Sequence, residues 1–156
     1  MIIDITTLDK KVFKRILTEE NERDNITRNM IKKQIEYGNT YGQKKEFKEK
    51  YDMLVNKKMC FDNLISLIDK TNEIDVSEKE IEYFKHLIKN QKEVSKSRID
   101  DFNKPNGCMY RLFYKQCVEN GKPEQVLESV IKEIVDCEIK NIKCCEQLSK
   151  LLILNN

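Results

Sequence analysis

The stretch Tyr37-Gly38-Asn39-Thr40-Tyr41-Gly42-Gln43-Lys44-Lys45-Glu46-Phe47-Lys48-Glu49-Lys50-Tyr51 decides how the chain is laid out, because two glycines stand four residues apart in sequence that otherwise reads as helix. Two readings compete. In the first, Gly38 ends one helix and Thr40 caps the next, with Gln43 three residues on. Propensity favours it, since each glycine kept helical costs about 1 kcal/mol relative to alanine. In the second, helix continues. At 100° per residue Ile26, Met30, Tyr37, Tyr41, Lys44, Lys48, Tyr51, Val55 and Met59 share one stripe, with no jump of phase across the glycines. The unbroken phase favours one long helix over about residues 24–70, kinked at Gly38 and Gly42, where the missing side chains let a second helix approach closely. Such a helix runs about 70 Å, so it projects or pairs with another chain.

Outward from this stretch, helical punctuation is frequent. Leu8, Val12, Phe13, Ile16 and Leu17 predict a short amphipathic helix, and Ile2 to Ile5 is the one strand candidate. Ser77 and Glu80 form a capping box ahead of Ile81, Phe84, Leu87, Ile88, Val94, Ile99 and Phe102, a helix that stops near Asn103. Cys108 to Asn120 is a shorter helix closed by Gly121 as a left-handed cap, and Pro123 suits the first turn of the helix that carries Val126 to Leu152. The fold class predicted is all-α: an elongated antiparallel bundle of four to five helices forming one domain over 1–156.

Composition narrows the setting. Charged residues make up 36% and apolar ones 39%, a balance that suits narrow helices with wide solvated faces. Lysine far exceeds arginine and alanine is absent, as codon bias in an AT-rich genome produces. Neither a leader pattern nor a membrane-length apolar run occurs, so a cytoplasmic protein with no membrane partner is expected. The six cysteines lack paired C-x-x-C spacing and are expected to be reduced, mostly buried thiols.

The single histidine, His86, has Tyr83 three residues before it, so the Glu-x-x-His of di-iron bundles fails. Walker A and G-x-G-x-x-G loops are missing, and Asp100-Asp101 is a lone acidic pair. No catalytic residue, metal ligand or cofactor is assigned.

Two contact surfaces remain. On a continuous helix Tyr37, Tyr41, Lys44, Lys48 and Tyr51 alternate aromatic faces with ammonium groups, beside Gly38 and Gly42. The segment from Arg28 to Lys58 holds nine basic residues against four acids. That pattern could suit single-stranded nucleic acid or a protein contact; the reading favoured first is tyrosines at a bundle rim with lysine stems laid over apolar neighbours. In Cys108–Cys117 large side chains nearly encircle a short helix. Such a helix is expected to be a plug between longer ones, or else to present Tyr110, Arg111 and Tyr114 as an exposed anchor. The apolar end, Leu148 to Leu154, needs cover from this chain or another. The leading expectation is a non-enzymatic interaction protein (adaptor, inhibitor or structural subunit) that binds itself or a cytosolic protein. A nucleic-acid accessory protein using segment 28–58 is the alternative.

Overall fold

A computed structural model describes every residue except 38–40, 105–106, 122–123 and 155–156. In chain order its elements are β1 (Ile2–Asp4), α1 (Lys10–Tyr37), α2 (Tyr41–Leu67), β2 (Glu73–Asp75), α3 (Glu78–Phe102), α4 (Cys108–Glu119) and α5 (Glu124–Leu154). The helices pack in antiparallel pairs, α1 with α2 and α3 with α5, so the all-α bundle of five helices is what the sequence predicts.

The single helix over 24–70 is corrected. Lys14 reaches Asp69, Asn21 reaches Asp62, Lys57 reaches Asp24, and Arg28 donates to the Leu54 carbonyl. Each step up α1 is matched by a step down α2, so the chain reverses between them. Gly38, Asn39 and Thr40 lie outside the described residues; Tyr41 and Gly42 open α2. The first helix also runs on past Leu17 through the polar run TEENERDN without a break. Its inward positions there are Glu20, Asn21, Asp24 and Arg28, all buried, and α2 supplies at least one partner to each. Apolar periodicity therefore lapses where the helix does not.

Three phenylalanines fix the centre of the core. Phe13 of α1 and Phe61 of α2 both pack on Phe84 of α3, with ring centroids 6.2 and 5.9 Å away. One end is closed by an antiparallel ribbon in which Ile3 pairs with Ile74 and both side chains are buried. The predicted strand at residues 2–5 thus exists, and its partner, three residues long, carries too little alternation to be seen in sequence. Leu148 and Leu152 of α5 join the same core.

Local caps set the other boundaries. Ser77 N–H donates to Glu80 Oε2 at 2.8 Å while Glu80 N–H donates to Ser77 Oγ at 3.3 Å, completing the predicted box. Helix α3 ends at Phe102 with Asn103 as its cap, and Gly121 takes φ 63° after α4, where a side chain would be strained. Asp101 is not a free acidic residue: its carboxylate accepts from the Cys108 and Met109 N–H groups at 3.1 and 2.6 Å, capping α4 from the end of α3. That cap draws Gly107 against the Asp101 carbonyl so closely that any Cβ would collide with it.

The plug expectation for α4 is corrected too: none of its residues is buried. Phe113 meets Phe102 edge to face at 5.6 Å, and Tyr110, Phe113 and Cys117 are the half-buried residues of α4. One short helix packed against the ends of two others cannot bury side chains all round its axis.

Candidate functional site

Because α4 lies on the surface, its other side chains face outward. Tyr110 is half-buried, and Tyr114 stacks on it with the rings 6.3 Å apart and 12° from parallel. Arg111 between them is exposed, as are Met109, Leu112 and Val118. The structure therefore stacks half-buried Tyr110 on exposed Tyr114, with Arg111 exposed on the same helix.

The tyrosine and lysine stripe fares differently, since α1 and α2 run in opposite directions. Tyr37 is 78% exposed at the end of α1; Lys44 and Lys48 are exposed on α2 and Tyr51 is half-buried. The side chain of Tyr41 and the surroundings of Gly42 lie outside the described residues, as does Gly38. The basic segment also loses surface charge. Arg28 and Lys57 are buried, and Lys58 is held by Asp62. Lys32, Lys33, Lys44, Lys45, Lys48 and Lys50 remain exposed, against exposed Glu36, Glu46, Glu49 and Asp52.

Sequence reasoning missed a layer of buried polar groups that ties the four long helices together. Lys57 Nζ sits 2.6 Å from Glu20 Oε1 and 2.9 Å from Asp24 Oδ2. Asn90 donates to the same Glu20 oxygen, and Arg23 donates to the other at 2.8 Å. Arg23 also donates to Gln91 Oε1 at 2.6 Å. Gln91 adjoins Ser95, whose hydroxyl donates to Glu138 Oε2 at 2.6 Å; Arg98 holds the second Glu138 oxygen at 2.7 Å. Asn141 donates to Glu138 and accepts from Arg15 at 2.6 Å, which returns the network to α1.

Electrostatics follow from these contacts. Burial pushes the Glu20 carboxyl up, but Lys57, Arg23 and Asn90 outweigh it and hold it below its ordinary range. Glu138 behaves alike, burial being overcome by Ser95, Arg98 and Asn141. For Asp24 burial wins over Lys57, and its carboxyl is raised. A signal for this layer exists in the sequence: Glu20, Asp24 and Arg28 continue the inward phase of Leu17 and Ile31, as Gln91 and Ser95 continue that of Leu87.

All six cysteines are free; Cys144 and Cys145 are buried and pushed up to about 12 by burial, Cys60 likewise by burial and Glu80, while Cys108 is exposed. His86 is exposed on α3. Among the described residues no group of three His, Cys, Asp or Glu is placed to hold a metal ion, and no helix is long and apolar enough to cross a membrane. The chain matches no protein-family model, no curated protein and no solved structure.

Proposed function

We propose that the protein works as a non-enzymatic interaction module, binding another protein or a second copy of itself through the outer face of α4. One observation carries this reading: a whole helix, α4, buries none of its residues yet holds Met109, Leu112, Tyr114 and Val118 in water at 38 to 57% exposure. Stacked tyrosines beside an arginine are among the side chains that most often anchor protein interfaces. A photo-activated cross-linking residue placed at Leu112 or Val118, in cells that make the protein naturally, is expected to give a discrete adduct. The same residue at exposed Lys79 serves as control and is expected to give none. An adduct of twice the chain mass means self-assembly, and any other discrete mass means a partner. Equal labelling at all three positions overturns the reading.

A second reading, nucleic-acid binding through segment 28–58, draws on exposed Tyr37 and on Lys32, Lys33, Lys44, Lys48 and Lys50, which stand without an ion-pair partner among the described residues. It requires retention on single-stranded DNA or RNA that falls steeply with salt. Passage through such a column at low salt ends it.

A further inference from the structure

The groove between α3 and the final turns of α5 combines apolar lining with a row of cations. It encloses about 420 Å³ and is lined by Ile88, Leu152, Ile153 and Ser149 together with Lys85, Lys89 and Lys92. Lys96 continues the row, so four lysines stand along α3 at spacings of four, three and four, which places them on one side of the helix over about 16 Å. Lys85 pairs with Glu82 in an exposed setting, where such a pair is weak, and half-buried Lys92 lies 3.9 Å from Glu146. Lys89 and Lys96 have no ion-pair partner among the described residues. Ile153 is 71% exposed at the open end.

We infer that this groove receives an acidic amphipathic helix from a partner protein, at a site separate from the outer face of α4. The cation spacing selects the occupant. A single fatty carboxylate answers one lysine, whereas carboxylates spaced three and four apart on a helix answer the whole row while their apolar side fills the groove. The slightly larger groove between α1 and α2 offers no such row, because its lining holds two cations, Arg28 and Lys58, beside two acids, Glu22 and Asp62.

The probe is a fluorescein-labelled amphipathic peptide about 18 residues long, leucine on one face and glutamate on its flanks, beside a twin with lysine at every glutamate position. Anisotropy with the full chain is expected to show saturable binding of the acidic peptide, about tenfold tighter than its twin and about tenfold weaker at high salt. Replacing Lys89, Lys92 and Lys96 together by glutamate should weaken it about tenfold, and Ile153→Glu about fivefold. The milder pair Lys89→Gln and Lys96→Gln, at exposed positions, keeps the fold and should still weaken it about threefold. Equal binding of both peptides, or binding unmoved by these changes, overturns the proposal. Displacement by decanoate or by phosphatidylserine vesicles overturns it in favour of a lipid. Leu112→Asp on α4 separates the two readings: it should abolish the α4 cross-link and leave the acidic peptide bound.

Discussion

Glu20 is almost wholly buried, yet it meets donors from three helices: Arg23 on its own, Lys57 on α2 and Asn90 on α3. A buried carboxylate of this kind contributes little net stability as a pair, because desolvation offsets the Coulomb attraction, but removing one partner strands the other. Glu20→Gln takes away the main counter-charge of buried Lys57 and is expected to cost about 3 kcal/mol. Asp24→Asn differs. It removes the carboxyl whose burial is least compensated and leaves the Glu20–Lys57 pair whole, so the change should stay within about 1 kcal/mol of the parent. Urea unfolding of the two variants at neutral pH reads the contrast, and equal losses would mean that Lys57 draws on both carboxylates alike.

Above the polar layer the α1–α2 pair stands as a two-helix arm. No described residue from 32 to 53 is buried, while Ile31 and Leu54 just below it are. An arm without core contacts should be separable from the fold. Joining Lys32 to Met53 through a short glycine-rich turn is therefore expected to keep the circular dichroism of a helical bundle and to move the melting temperature by only a few degrees, about what a change near 1 kcal/mol produces. A collapse of the cooperative transition would show that the arm supports the core.

The same elements show what sequence alone reveals. Helices α3, α4 and α5 were legible to within a residue or two because their ends are written locally, in Ser77 with Glu80, Asn103 and Gly121. The α1–α2 hairpin was not, because its inner face changes from Leu17 to Glu20 and Asp24, polar residues that keep the inward phase but not the apolar character by which a core face is read. The glycine pair was weighed against an unbroken stripe, yet Ile26, Met30, Tyr37 and Met59 are all more than half exposed. A stripe on the outer faces of two helices keeps its phase without joining them. Tyr110, Arg111 and Tyr114 are legible only as the alternative to a plug, because large side chains all round a short helix fit either setting until its neighbours are in place; the lysine row on α3 is not, since a solvated face and a groove rim look alike until α5 is in place.

Across the whole molecule the carboxyl shifts make stability a function of pH with two opposed parts. Asp4, Glu20, Asp69, Glu80 and Glu138 are held below their ordinary values in the fold. In the unfolded chain these groups take up protons first, near pH 4, so the unfolded state binds more protons and stability falls as pH drops through and below that range. Their contribution is fully present above it. Asp24 has the reverse sign: its raised carboxyl is protonated in the fold while still ionised in the unfolded chain, so lowering pH from neutrality toward the ordinary aspartate value adds stability. Urea unfolding from pH 7 downward should accordingly show a small rise ahead of about pH 4 and a steep loss beneath it. In Asp24→Asn the rise should vanish and the loss remain; in Glu20→Gln the loss should become shallower, because the carboxyl that drives part of it is gone. A parent whose stability falls monotonically from neutrality would mean that Lys57 keeps Asp24 ionised in the fold.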